Sequence, residues 1–190
     1  MATAADVRGS ALLRYSRGAV FFHWTIAALI LVNLFLGFYH ESFGKPATAW
    51  LMFFHKAIGI SVLALSVARL GWRLGHRPPP FDPVLKRWEG ALATITHWLF
   101  YVLMIGIPLS GWLLSSTGNR SIDFFGLFDI GPLPVSRSDD SHDLWEEVHE
   151  LAGKLMLGLV VLHVAGALKH HLQGHRHLIG RMAPWPGRGR

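Results

Sequence analysis

Residues 19–38 read AVFFHWTIAALILVNLFLGF: twenty residues without a charge, carrying one histidine at position 23. A helix rises 1.5 Å per residue, so twenty residues cover the ~30 Å hydrocarbon core of a bilayer. Three further stretches have the same character. Residues 46–68 are apolar except for Lys56 and end at Arg69; residues 90–119 carry no charge, with Pro108 late in the run; residues 151–168 are interrupted only by Lys154. The fourth helix is expected to begin near Leu144, because Trp145-Glu146-Glu147-Val148-His149 runs into it without a breaker. Prolines 78–80, and then Pro132 and Pro134, mark the connections. The pattern predicts an all-α fold, an integral membrane four-helix bundle with spans at about 19–39, 48–72, 90–115 and 145–172. A segment 1–18 would precede the 19–172 helical domain and a basic tail 173–190 would follow it. Arg8, Arg14 and Arg17 before the first span resemble the positive region of a signal peptide. The apolar run is longer than a signal's 7–15 residues and no small-x-small site follows, so it reads as a retained helix.

Composition agrees. The 190 residues are 51% hydrophobic and 16% charged, with 20 Gly and no Cys, and mean hydropathy is +0.33. Soluble domains are about 25% charged, and disorder needs low hydrophobicity, so both are disfavoured. Without Cys there is no disulfide scaffold, thiolate zinc site, Cys-held iron–sulfur cluster or covalent Cys-x-x-Cys-His haem. The net charge of +6 is compatible with nucleic acid or a membrane surface until the charges are placed. Segments before span 1, between spans 2 and 3, and after span 4 hold 13 Lys/Arg and three acids, whereas the opposite side holds five and nine. The faces are therefore +10 and −4. The positive-inside rule puts both termini in the cytoplasm, and basic residues dispersed over three membrane-flanking segments exclude a nucleic-acid partner.

Ionisable groups inside a span are costly and point to function. His23, His55, His97, His149 and His163 lie in or at the rim of the spans. Alternating helix direction puts His23, His97 and His163 near the cytoplasmic level, and His55 and His149 near the outer one. His149 and His163 are 14 residues apart, about 21 Å along the axis and within ~40° of the same helix side. Each has a partner at its own depth, His149 with His55 and His163 with His23. Two facing imidazoles are what a six-coordinate b-type haem requires, and bundles build such sites from facing helices. A haem-free transporter or structural membrane protein is the rival. A transporter would want carboxylates near these rings, and none occurs between Glu89 and Asp123 or after Glu150. His97 shares the inner level with His23 and His163 and could displace either as ligand; the preferred reading is a contact to a haem propionate or a quinone. His40 reads as an interface residue, and His170, His171, His175 and His177 as a hydrated tail.

The blocks YSRGAVFFHWTIAALILVNLFLGF, FHKAIGISVLALSVARLGWRLGHRPPP, THWLFYVLMIGIPLSGWLLSS and VHELAGKLMLGLVVLHVAGALKHHL followed by GRM span residues 15–182. With these neighbours around each histidine, the chain resembles the bacterial cytochrome b561 family. The resemblance implies two haem b groups and quinone-linked electron transfer in the bacterial cytoplasmic (inner) membrane, with ubiquinone as redox partner. By matching motif it puts the axial ligands on His23, His55, His149 and His163. Some members oxidise superoxide and reduce ubiquinone, while related b-type cytochromes are haem-bearing anchors of dehydrogenases or hydrogenases. Whether this chain is an enzyme depends on whether it turns over a substrate or only relays electrons.

Basic residues near the expected haem edges suit propionates: Arg14, Arg17 and Lys169 on the cytoplasmic side, Lys56 and Lys154 on the outer side. For the two outer lysines, snorkelling to the headgroups is an equal alternative. Residues 117–143 form a long outer loop with an aromatic run, Asp123-Phe124-Phe125-Gly126-Leu127-Phe128-Asp129. It is expected to anchor at the interface, with roofing a quinone pocket or docking a partner as alternatives. The expected partners are lipid, a quinone, a periplasmic or peripheral redox protein, and a second copy of the chain.

Overall fold

The computed structural model describes residues 14–82 and 84–184; Arg8, with most of the 1–18 segment, and the last six residues of the basic tail lie outside the described residues. Four long helices dominate: α1 (Arg17–Tyr39), α2 (Lys45–Gly75), α3 (Arg87–Thr117) and α4 (Asp139–Leu172), with a short α5 (Arg176–Gly180) after them. Their starts are chemically specified. The Ser16 hydroxyl accepts from Ala19 N at the head of α1, and Glu89 accepts from Lys86 N at the head of α3. Ser138 caps α4, whose first turn carries Asp139 and Asp140 at the positive end of the helix dipole. These caps explain why α4 begins six residues before Trp145: polar residues extend the helix beyond the apolar span. A 3₁₀ turn (His40–Phe43) and Gly44, at φ +79°, reverse the chain between α1 and α2.

All four helices are long and apolar enough to cross a membrane. Within each most apolar window no more than 22% of the residues are buried in the protein. Phe21, Leu31, Phe35, Val102, Leu155 and Val161 all point outward. Helices apolar on their outward faces as well require hydrocarbon as their solvent. The protein core is thin: Ile26, Ile30, Val62, Tyr101, Met104 and Met156.

Helices adjacent in sequence pack closely, α1 on α2, α2 on α3 and α3 on α4, whereas α4 stands off from α1 and α2. That gap positions the site. Both described chain ends lie on one face, tied by a bond from Tyr15 N to Arg181 O of 3.2 Å. The segment after α5 straps this terminal face: Trp24 Nε1 donates to Met182 O, Arg14 to Ala183 O and Arg181 to Pro80 O. The opposite face carries an antiparallel hairpin, β1 (Ile122–Asp123) with β2 (Asp129–Ile130), inside the long loop. Its turn uses Phe125 and Gly126 at φ +56° and +75°, closed by Gly126 N donating to Asp123 Oδ1. Trp112 Nε1 donates to Gly131 O, and Leu133 N to Ser116 Oγ, which fastens the loop to α3.

Gly18 lets α1 approach α2: a Cβ there would lie 2.5 Å from the Trp72 ring. That ring donates to Ser16 Oγ and stacks on His76 at 3.9 Å. Gly18→Val should destabilise the helix pair by about 1–3 kcal/mol, as overpacking does. A lower thermal midpoint in detergent would register it, and an unchanged midpoint would show that Trp72 moves freely.

Candidate haem sites

On the hairpin-face half of the bundle, His55 of α2 and His149 of α4 face each other with ring centroids 6.0 Å apart. Each ring lies on a glycine of the neighbouring helix. A Cβ on Gly37 would be 2.9 Å from His55 Cε1, and one on Gly111 would be 2.9 Å from His149 Cε1. The missing Cβ brings the ring to the backbone. His55 Nδ1–H donates to Asn33 O at 3.1 Å, and His149 Nδ1–H to Ile107 O at 3.0 Å. Asn33 and Ile107 each stand four residues before the glycine concerned, so one arrangement is used twice. Ser110 Oγ lies 3.0 Å from the same His149 nitrogen. A carbonyl partner fixes the proton on Nδ1 and leaves each Nε2 lone pair available to a metal.

A cavity of about 740 Å³ surrounds this pair, within the usual range for a cofactor pocket. Its lining includes Lys56, Arg120, Ile122 of β1, His142 and Glu150. Lys56 forms no ion pair among the described residues, whereas Lys154 pairs with Glu150 at 2.9 Å. His40 donates from Nδ1 to Gly37 O.

On the terminal-face half, His163 of α4 lies 6.3 Å from His23 of α1 and 6.1 Å from His97 of α3, centroid to centroid. Distance alone admits either partner. The Arg69 Nη2 group is 3.5 Å from His23 Nδ1, a residue that sequence reasoning counted only as a flanking charge. Of the basic residues expected here, Lys169 pairs with Glu89 at 2.9 Å, Arg14 is engaged with Ala183, and Arg17 is exposed in the first turn of α1. His177 meets Asp82 at 3.1 Å, so part of the expected tail is folded onto this face.

The donor set suits haem. Two imidazoles with centroids 6.0–6.3 Å apart would hold a haem iron between them, and the haem would supply one-electron chemistry there. No group of three or more His and acidic residues suited to a metal ion occurs among the described residues. Paired imidazoles thus match a metal whose other four ligands come from a porphyrin.

The model of the prokaryotic cytochrome b561 family matches residues 14–185. The chain belongs to that family. It is therefore a multi-pass protein of the bacterial inner membrane and a membrane electron-transfer protein, and the family implies haem b. Similar proteins include the "probable superoxide oxidase CybB" of Yersinia pestis, 27% identical over 90% of this chain and 96% of its own. Cytochrome b561 homologs 2 and 1 of Escherichia coli K12 are 28% and 24% identical, over 89% and 90% of this chain and 90% and 97% of theirs.

Gly37→Ala and Gly111→Ala are each expected to displace one imidazole and lower the haem content of the purified protein. Gly106→Ala, with nothing within 4 Å of the new Cβ, should match wild type. Equal haem in all three, by pyridine haemochrome assay, would detach the glycines from the site.

Proposed function

We propose that this b561 protein carries two haem b groups, one held by His55 and His149 and the other by His23 and His163, and links a quinone pool to a redox partner across the membrane. The observation that supports it is the pair of facing imidazoles at each level, both spanning the gap beside α4. That gap favours His23 over His97. His97 and His163 sit on helices packed tightly together, which leaves little width for a porphyrin, whereas α1 and α4 stand apart. A six-coordinate haem, when bound, supplies one-electron chemistry with little rearrangement of its ligands. The chain contributes ligand placement and, at His55 and His149, fixed Nδ1–H tautomers. His97 would then face the quinone or a propionate.

The terminal face is assigned to the cytoplasm, because its flanking segments carry 13 of the 18 Lys/Arg. The hairpin face is assigned to the periplasm. Superoxide is the proposed donor there by analogy with the Yersinia protein's name. The net charge of this face repels an anion, and Lys154 is neutralised by Glu150. Lys56 and Arg120 in the cavity lining provide the remaining positive entrance. With ubiquinone as acceptor, two superoxide ions would yield two O₂ and two electrons, and the quinone would take those electrons with two protons to form quinol.

Single substitutions test the ligation. His23→Ala or His163→Ala should disturb one haem and His55→Ala or His149→Ala the other, read by reduced-minus-oxidised spectra, while His97→Ala keeps both. Loss of a haem in His97→Ala, with both retained in His23→Ala, would overturn the pairing. Ubiquinone reduction by the pure protein under a superoxide flux should fall at least tenfold in a Lys56→Glu/Arg120→Glu double variant. An unchanged rate there would remove the proposed entrance.

A further inference from the structure

Arg69 stands in the second-last turn of α2, half-buried and one side-chain contact from His23. Arg73, one turn on, shares its helix side. Both guanidinium carbons lie 5.7 Å from the centroid of the Tyr101 ring. Two like charges at i and i+4 repel, and a partly buried cation needs a counter-charge. None is available from the described residues. Asp82 is taken by His177 and Glu89 by Lys169, and Arg69 forms no ion pair. Beside the two arginines is a small cavity of about 40 Å³, lined also by Tyr15 and Tyr101. On this measure a water needs about 10–15 Å³, so the niche has room for a group the size of a carboxylate.

We propose that Arg69 and Arg73 form a carboxylate cradle for the propionates of the haem held by His23 and His163, and that Arg69 raises that haem's reduction potential. The proposal rests on the two-haem reading above. A fixed positive charge beside the site favours the reduced haem, which carries one positive charge fewer than the oxidised form. The cradle takes the role that sequence position suggested for Lys169, whose ammonium is committed to Glu89. Arg69 is a positioning residue here, acting on the haem through its propionates and through the setting of His23.

The test is a potentiometric titration of the purified full chain, following the α-band of each haem, with haem content measured alongside. Arg69→Gln should retain two haems per chain and shift one of them to lower potential, leaving the other in place. Arg69→Lys should restore most of the shift, and Arg73→Gln should give a smaller shift of the same haem. Should Arg69→Gln lose haem, Arg69→Lys and Arg73→Gln still carry the comparison. Unchanged potentials in variants that hold both haems would overturn the proposal. So would an equal shift on delipidating the wild type, which would assign the arginines to a lipid headgroup. A wild-type chain with fewer than two haems would instead sink the underlying reading, and is recognised before any variant is made.

Discussion

An imidazole in hydrocarbon must have both ring nitrogens satisfied, because no water is there to do it. The site organisation follows from that constraint. At His55 and His149 one nitrogen is satisfied by a backbone carbonyl, reached only because Gly37 and Gly111 leave room for the ring. The other nitrogen is left to a group between the two rings, whose centroids lie 6.0 Å apart across the gap beside α4. Closing that gap with larger side chains would improve apolar packing and remove the space the site needs. The thin protein core is the corollary: the bundle gives interior volume to a cofactor, and lipid solvates the outward apolar faces.

Much of this was legible in the primary structure. The uncharged runs at 19–38 and 90–119 predict helices by length, and the 14-residue interval from His149 to His163 sets both rings on one side of α4. Other features depend on contacts between distant segments. Nothing local shows that residues 182 and 183 return to bond Trp24 and Arg14, or that Ile122 and Ile130 pair. Gly37 and Gly111 are ordinary helix glycines until a histidine from another helix is placed on them. Lys154 is a different case. Glu150 lies four residues earlier, a spacing that favours an ion pair on any helix, and that pattern competes with a propionate role. By sequence alone Arg69 is one of the dispersed flanking basic residues, because it ends an apolar run. Its depth relative to His23 emerges only when α1 and α2 are packed together.

The two levels are built differently. At the hairpin face, carbonyls hold the imidazoles and a wide cavity opens past Lys56 and Arg120. At the terminal face, a guanidinium adjoins His23, two arginines converge on Tyr101, and a strap from the chain end covers the helix starts. One fold thus provides two similar histidine pairs in unlike electrostatic surroundings, which suits the proposed relay between partners on opposite sides of a membrane.

The proposed function requires each of two haems to lie between two histidines. Electron paramagnetic resonance of the ferric protein, with haem-to-chain stoichiometry on the same sample, tests it most directly. Two haems per chain and two low-spin signals of bis-imidazole character are expected. A stoichiometry of one, or a dominant high-spin signal, would contradict it.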